Sequence, residues 1–418
     1  MDKNQLRQVI LDQQEQFAKT DSLIERDMDL SPFLKGNEII IISGIRRCGK
    51  SSLLKLISKK IDGIKFYLNF DDIRMTDFTR DNFSDIQNLA VELFGAQKIT
   101  YFFDEIQNAE HWERWINNLY SSGFKVFLTG SNSNLLSSEI STYLTGRNKV
   151  IRLFTFSFNE YLRFKDVKIS EYLSSSQESI VFKHFNDYLK IGGFPLIVKN
   201  DDIELSKQYF DDILNKDILN RYKIKRIKEI KDLLLYLFSN PGRAYSYSTL
   251  KEVTGIKSLS TIKNYIDYFR NVYLIYTIDK FDYSYAKQKV SSSKPYVSDN
   301  SFLKSIAFNF TENEGKRLEN IVFLKLLMDG KEIFYHLDKK ECDFVIKEGL
   351  QIKTVIQVCF DMSHVSTRKR EIEGLIQAMS KYKLKEGLIL TMENEETINV
   401  DGSKIIIMPV WKWLMHIQ

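Results

Sequence analysis

The stretch IIIISGIRRCGKSSLL, residues 39–54, combines an apolar run, a loop bounded by glycines and the start of a helix. The run is β-branched and far too short to cross a membrane, which is typical of a central parallel strand. The loop fits the spacing G-x-x-x-x-G-K-S from Gly44 to Ser51. Glycines let successive backbone N–H groups turn toward a phosphate chain, and the helix N-terminus adds partial positive charge. The stretch therefore predicts a phosphate-binding loop between a strand and a helix.

The loop and the first helical turn supply the candidate contacts to the phosphates. These are Gly44, Ile45, Arg46, Arg47, Cys48, Gly49, Lys50, Ser51 and Ser52. Lys50 is expected to reach the β- and γ-phosphates, and Ser51 is expected to place its hydroxyl on Mg²⁺. ATP and Mg²⁺ are accordingly the predicted cofactors.

The composition is that of an ordinary globular protein of two to four domains, with 418 residues, 43% hydrophobic and 28% charged. The net charge of +5 permits nucleic-acid contact but does not argue for it. Cys48, Cys342 and Cys359 show no metal-ligand spacing, which favours a reduced compartment. The polar N-terminus is unlike a signal peptide, and no apolar run reaches the length of a membrane span. These features predict a cytoplasmic protein without a membrane contact.

Two adjacent acids follow the apolar residues 99–103. An apolar strand that ends in Asp104 and Glu105 matches the second part of the nucleotide-hydrolysis signature. Asp104 is expected to hold Mg²⁺, and Glu105 to polarise the attacking water. Paired acids at a strand end are usually a solvated cap, but their position downstream of a complete phosphate loop favours catalysis.

Four further candidate residues flank this core. The apolar residues 125–130 end in Ser131 and Asn132, either of which fits a sensor of the γ-phosphate or a simple helix N-cap. Arg147 follows a glycine turn and fits a catalytic contact to a phosphate, in its own or a neighbouring subunit, or an ordinary surface arginine. Arg26 lies ahead of the first strand, either near the nucleotide base or in solvent.

These motifs resemble those of bacterial and archaeal AAA-type ATPases of the AAA+ superfamily whose C-terminal half is a domain of unknown function. The resemblance rests on GIRRCGKS (44–51), FFDEIQ (102–107), LTGSNSNLL (128–136) and LTGR (144–147), then on SFNEYL (157–162), GGFP (192–195), KDILNRY (216–222), VSDNSFL (297–303) and LEN (318–320). It covers nearly the whole chain. It implies ATP and Mg²⁺ at the first domain and leaves the physiological substrate undefined.

The chain is predicted to divide into an N-terminal helix and connector (1–35), a P-loop ATPase core (36–155), a helical lid (156–225), a winged-helix-like domain (226–295) and a C-terminal domain (296–418). Arg221 begins a basic run that fits phosphate binding or a solvated helix face. The order helix, turn, helix, ribbon predicts the winged helix, with Thr261, Lys263 and Asn264 on its recognition helix. DNA binding and a packing or interaction role are equally good interpretations. A serine-rich run at 291–295 predicts a flexible connection.

The C-terminal domain resembles the PD-(D/E)xK nuclease fold, in which an acid on one strand and an acid-x-lysine on the next bind Mg²⁺. Glu319 and Asp343 supply acids, but the acid-x-lysine position reads Gln357-Val358-Cys359. An amide is a poor Mg²⁺ ligand and a thiol is no cation for the transition state. Lys353 lies on the wrong side of the strand start to substitute. The sequence predicts a nuclease-like scaffold that does not cut.

The predicted fold is therefore α/β: a P-loop NTPase with a parallel sheet, a helical lid, a winged helix and a nuclease-like C-terminal domain. The leading functional hypothesis is Mg²⁺-dependent ATP hydrolysis coupled to a conformational change and to recognition of a partner, DNA or protein. The alternatives are an ATP-driven nuclease and a non-hydrolysing ATP-dependent switch. The oligomeric state is left open.

Overall fold

Five parallel strands form the sheet that carries the predicted site. They are β1 (Ile39–Ser43), β2 (Ile64–Asn69), β3 (Ile99–Asp104), β4 (Lys125–Gly130) and β5 (Asn148–Arg152), in the spatial order β2-β3-β4-β1-β5. Every residue of β1, β3 and β4 is buried, as expected for central strands of a parallel sheet. Because all five strands are parallel, the phosphate loop after β1 and the acids at the end of β3 share one edge of the sheet.

The computed structural model describes residues 1–19, 23–95, 98–132, 144, 146–169, 172–307 and 314–415. The predicted motif residues 133–136 and Thr145 lie outside this part of the chain. One unit comprises Met1–Phe154 with Asn271–Tyr273, and the other comprises Thr155–Arg270 with Leu274–Gln418. The helices of the first unit are Lys3–Ala18, Ser31–Leu34, Lys50–Lys59, Asn82–Phe94 and Trp112–Ser121, with 3₁₀ turns at Ile73–Met75 and Ile106–Asn108. In the described ranges, no helix is long and apolar enough to cross a membrane.

Two glutamines of the N-terminal helix cover the edge strand β2. Gln14 accepts a hydrogen bond from the Tyr67 N–H (3.0 Å) and donates one to the Lys65 carbonyl (2.7 Å). Gln13 does the same at Asn69, accepting from its N–H (2.7 Å) and donating to its carbonyl (3.2 Å). Side chains thus take the place of a further strand along an edge that would otherwise offer unpaired backbone groups.

The second unit begins with helices and ends with a mixed sheet. Its helices are Phe158–Phe164, Ser175–Ile191, Pro195–Asn200, Leu205–Asp212, Ile227–Ser239, Tyr247–Thr254, Leu259–Asn271, Tyr285–Val290, Asn300–Ser305, Glu314–Met328, Val365–Tyr382 and Val410–Leu414, and a π-helical segment, Ile213–Asn220, continues the fourth. Strands β6 (Ile275–Asp279) and β7 (Ser293–Val297) pair antiparallel after the seventh helix.

The flexible connection predicted at 291–295 is wrong for its last three residues, because they begin β7, which also contains the domain boundary predicted at 295/296. Pro295 lies opposite Thr277 in the ribbon. A proline is tolerated where one side of a strand needs no N–H donor, so β7 carries a composition that is typical of a loop.

The second sheet has six strands in the order β12-β13-β11-β10-β9-β8. They are β8 (Glu332–Leu337), β9 (Glu341–Glu348), β10 (Gln351–Cys359), β11 (Glu386–Thr391), β12 (Glu396–Val400) and β13 (Ser403–Pro409). Strands β10, β11 and β13 run parallel, and the other pairs are antiparallel. The helix Val365–Tyr382 contributes Leu375, Ala378 and Met379 to a shared core with β9, β10 and β11.

A buried polar network joins several of the sequence markers within the second unit. Asp299 accepts a hydrogen bond from the Gly193 N–H at 2.8 Å. The Asn300 amide donates to the carbonyls of Leu189 and Arg317, each at 3.0 Å. Asn320 exchanges two hydrogen bonds with the backbone of Val297 and donates a third to the Asn300 amide oxygen. The markers at 192–195, 297–303 and 318–320 therefore serve one packing site.

Candidate nucleotide site

The phosphate loop has the backbone that glycines make possible. Gly49 caps the helix Lys50–Lys59 with φ of +103°, a conformation that side chains rarely adopt. A Cβ added at Gly44 would lie 2.1 Å from the Leu153 carbonyl oxygen. Both positions therefore require glycine, one for its dihedral angle and the other for a close backbone approach.

Lys50 is buried and lies inside the loop that precedes it. Its ammonium donates to the carbonyls of Gly44 and Ile45, each at 3.3 Å, and lies 3.2 Å from a carboxylate oxygen of Glu105. Burial opposes the charge, but Glu105 and the neighbouring acid outweigh it and raise the pKa of Lys50. The lysine is thus a fixed positive charge at the point where the loop would receive an anion.

Asp104 is buried at the end of β3, among three hydroxyl groups. It accepts hydrogen bonds from Thr129, from Tyr67 at 3.0 Å, and from Ser51. Burial and the adjacent Glu105 raise the pKa of Asp104, and the hydroxyl donors partly offset this. The contact between Ser51 and Asp104 brings together the two residues predicted to hold Mg²⁺.

Glu105 has a left-handed backbone, with φ of +49°. Its N–H donates to the Thr129 hydroxyl at 2.9 Å, and its carboxylate accepts from the Gln107 amide. Burial acts to raise the pKa of Glu105, but Lys50, Gln107 and Arg46 together lower it. Neighbouring acids with pKa values moved in opposite directions are typical of sites that assign them different roles.

The remaining loop residues divide by exposure. Cys48 is fully buried, and burial raises the pKa of its thiol, so it acts as a packing residue. Arg46 lies 3.5 Å from Asp71, while Arg47 and Ser52 are exposed beside the loop. All four belong to the loop or to the first turn of the helix that follows it.

Ser131 and Asn132 are buried just beyond β4, at the same edge of the sheet as the loop. The Ser43 hydroxyl, at the end of β1, lies 3.5 Å from the Asn132 carbonyl oxygen. This location suits a phosphate sensor. The helix N-cap alternative depends on residues 133–143, which lie outside the described part of the chain.

Arg147 lies at the amino ends of the strands, whereas the loop lies at their carboxyl ends. Its carbonyl accepts from the Ile39 N–H at 2.9 Å, at the amino end of β1. Its guanidinium donates to Asn117 and lies 5.7 Å from the centre of the Tyr120 ring. The structure therefore does not bring Arg147 to the phosphate loop of its own chain.

Two residues of this site were missed from the sequence: Thr129 bonds both acids, and Tyr67 bonds Asp104. Arg26, a candidate from the sequence, donates to the carbonyls of Cys48 (3.2 Å) and Phe154 (2.7 Å) behind the loop. The only sequence signal for Thr129 was its place at the end of β4, two residues before Ser131. Arg26 supports the loop from behind, where its two acceptors are backbone carbonyls.

Comparison with known proteins agrees with this geometry. A family model described as an AAA domain matches residues 36–162, and a domain of unknown function, DUF8612, matches residues 182–313. The uncharacterized protein MJ1544 of Methanocaldococcus jannaschii is 35% identical, over 97% of this chain and 94% of its own. The chain belongs to that protein's family. It carries an AAA domain, residues 36–162, most of which lies in the first unit.

Other relatives of this AAA-domain family include an uncharacterized protein of Haemophilus influenzae, 32% identical over 89% of this chain and 94% of its own. Among solved structures, the Thermotoga maritima RuvB Holliday junction branch migration motor matches with a TM-score of 0.28 and 12% identity, over 66% of this chain and 88% of its own. A mutant of that RuvB gives a TM-score of 0.31 and 14% identity, over 65% and 92%.

Proposed function

We propose that the protein binds ATP and hydrolyses it with Mg²⁺. The observation that carries this proposal is the convergence of Lys50, Ser51, Asp104 and Glu105 at one edge of a parallel sheet. The donor set fits the cofactors: among the described residues, Lys50 contacts two carbonyls at 3.3 Å and a Glu105 oxygen at 3.2 Å, and the Ser51 and Asp104 oxygens already face each other. A hard cation is bound by such oxygens, and phosphates by such a loop.

The residues would divide the work as follows. Ser51 and Asp104 would hold Mg²⁺, which when bound would supply neutralising charge to the phosphates. Lys50 would exchange its carbonyl contacts for phosphate oxygens and leave Glu105. Glu105, released from Lys50, would orient water and accept its proton. Ser131 would contact the γ-phosphate, so that its presence or loss could alter the end of β4.

The first test is ATP turnover and ATP binding by the wild type, Glu105→Gln and Lys50→Ala. We expect turnover in the wild type only. Glu105→Gln should still bind ATP, whereas Lys50→Ala should lose most of its affinity, because the first removes the base and the second the phosphate contact. Tight ATP binding without turnover in the wild type would instead support the non-hydrolysing switch.

We propose further that Arg147 acts on the nucleotide of a neighbouring subunit. Its place at the far edge of the sheet supports this alternative over action within one chain. In the test, Arg147→Ala, with an intact loop, is mixed with Lys50→Ala, which keeps its arginine. Mixed assemblies should regain turnover that neither variant has alone. Turnover per chain that stays constant on wide dilution of the wild type would contradict a shared site.

For the partner, we propose duplex DNA, contacted by the helix Leu259–Asn271 of a winged-helix-like module. The order of three helices and a two-stranded ribbon supports this, as do the exposed Lys263 and Asn264 on that helix, while Thr261 is half-buried. Arg221 is also exposed in this unit. Duplex DNA should stimulate ATP turnover, and Lys263→Ala should weaken the stimulation. Turnover that ignores DNA would favour a protein partner, to be captured with Glu105→Gln.

We also propose that the second sheet is a nuclease-like scaffold that does not cut. Gln357 and Cys359 support this, since the Gln357 amide bonds the Asp343 N–H (3.1 Å) and Glu371 (2.6 Å), and burial raises the pKa of the Cys359 thiol to about 11. Plasmid incubated with the protein, ATP and Mg²⁺ should stay supercoiled. Nicking that is lost in Asp343→Asn would instead support the ATP-driven nuclease.

A further inference from the structure

Lys294 is a fully buried lysine on β7, remote in sequence from every residue of the nucleotide site. Its ammonium lies 2.5 Å from a carboxylate oxygen of Glu341, 3.1 Å from Asp343 and 3.7 Å from Glu319. The Tyr335 ring, centred 5.3 Å away, closes another side. One cation is thus enclosed by three acids and an aromatic ring.

The three carboxylates come from two elements. Glu341 and Asp343 are two residues apart on β9 and point to the same face, while Glu319 comes from the helix Glu314–Met328. The second oxygen of Asp343 accepts from the Val358 N–H at 3.0 Å. The Tyr296 hydroxyl fixes Glu319 at 2.7 Å. Asp343 and Glu319 are therefore held in place by partners other than the lysine.

The cluster has more negative than positive charge. Burial opposes the charge on Lys294, but Asp343, Glu319 and Glu341 outweigh it and raise its pKa. Burial and Asp343 raise the pKa of Glu319 to about 7. Three carboxylates facing one point suit a divalent cation better than a single ammonium, because Mg²⁺ and Mn²⁺ prefer oxygen ligands and carry twice the charge.

We propose that Lys294 is an internal cation that occupies a divalent-cation site formed by Glu319, Glu341 and Asp343. In the part of the chain that the structure describes, no group of three or more His, Cys, Asp or Glu is arranged to hold a metal ion. This agrees with occupation by lysine, since the three carboxylates lie 2.5, 3.1 and 3.7 Å from the ammonium. Because Gln357, beside Asp343, is a neutral amide, it adds no fourth negative charge for the single ammonium to balance. The second sheet is therefore independent of metal while Lys294 is in place.

The test uses the full chain without nucleotide, so that the phosphate loop has no bound phosphate to recruit metal. Mn²⁺ binding and the thermal unfolding midpoint, in EDTA and in Mn²⁺, are measured for the wild type, Lys294→Ala, Lys294→Ala/Asp343→Asn and the exposed control Lys404→Ala. Lys294→Ala should unfold several degrees lower in EDTA, bind one Mn²⁺ per chain and regain its midpoint in Mn²⁺. The wild type and Lys404→Ala should respond to neither addition, and the double variant should not regain stability.

Three results would overturn the proposal. The first is stoichiometric Mn²⁺ binding by the nucleotide-free wild type that Asp343→Asn abolishes. The second is a folded Lys294→Ala that binds no Mn²⁺. The third is a Lys294→Ala chain that fails to fold with Mn²⁺ as well as with EDTA, because a metal that fits the site should replace the missing charge. None of these outcomes depends on ATP turnover, so they are distinct from failure of the proposed ATPase.

Discussion

Thr129 shows how one hydroxyl can position both acids of the candidate site. It donates to Asp104 and accepts from the Glu105 N–H, so both acids are fixed by a side chain from the neighbouring strand. Thr129→Val removes both bonds and leaves the Glu105 N–H without this acceptor. The loss destabilises the arrangement of the two acids by about 1–3 kcal/mol. We expect kcat for ATP to fall about tenfold or more with a smaller change in KM. Thr100→Val on β3 is the control, and equal kcat values for the two variants would contradict this role.

His336 predicts a pH dependence of stability in the second unit. It is fully buried on β8, its Nδ1 lies 3.1 Å from the Tyr382 hydroxyl, and its Nε2 has no hydrogen-bond partner among the described residues. Burial lowers its pKa from 6.5 to about 4, with Lys381 and Lys280 acting in the same direction and Asp338 against them. The unfolded chain thus binds a proton that the folded chain excludes, and stability falls as pH drops from 6.5 toward 4.

The loss ascribed to His336 is about 3 kcal/mol at full effect. Chemical unfolding between pH 7 and pH 4, monitored by a signal of the second unit, measures it. His336→Leu should flatten this part of the profile, whereas replacing the exposed His364 should leave the slope unchanged. A profile of equal slope in wild type and His336→Leu would refute the assignment.

For single residues, the sequence was informative where the residues of the site are adjacent in the chain. Lys50 and Ser51 are adjacent, as are Asp104 and Glu105, so short motifs predicted four residues that the fold brings together. Thr129 could not be found that way, because its role depends on strand order rather than spacing. The distance of Arg147 from its own loop likewise follows from the parallel pairing of β1 and β5, which no local pattern reveals.

The N-terminal helix is an element whose glutamines replace a strand. Gln14→Ala should leave the Tyr67 N–H and the Lys65 carbonyl without their partner and destabilise the β2 edge by about 2 kcal/mol. Hydrogen exchange at the Tyr67 amide should accelerate, and Gln8→Ala, on the exposed face of the same helix, is the control. Unchanged protection at Tyr67 would show that the edge is covered by other means.

Elements with strong patterns were predicted well, and those with weak patterns were missed. The isoleucine run of β1 and the aromatic run of β3 have no other stable location than a sheet interior. Strand β12 (Glu396–Val400) was missed because it lies at the edge of its sheet with no fully buried residue, so its sequence is free of a hydrophobic requirement. Strand β7 was missed because its serine and proline are typical of a turn.

For the whole molecule, the polar network around Asn300 connects the helical segment after residue 155 with β7 and the helix Glu314–Met328 inside one unit. Neither sequence motifs nor composition shows buried hydrogen bonds between segments that are distant in the chain. Asn300→Ala should leave the Leu189 and Arg317 carbonyls unpaired and lower the stability of that unit by about 3 kcal/mol. Thermal unfolding should show a lower midpoint than in Asn186→Ala, whose amide bonds only its own helix. Equal midpoints would contradict a structural role for the network.

The glutamine-covered edge also bears on the order in which the chain is synthesised. The helix Lys3–Ala18 leaves the ribosome before the strand that it protects, Ile64–Asn69, has been translated. The helix that covers β2 has therefore already been synthesised when that strand emerges. The unpaired backbone groups of the strand can be covered at once and are not left open to pairing with neighbouring chains. Moving the helix to the C-terminus by circular permutation would reverse this order and leave the final contacts unchanged. It would lengthen the time for which the aggregation-prone edge of β2 is exposed.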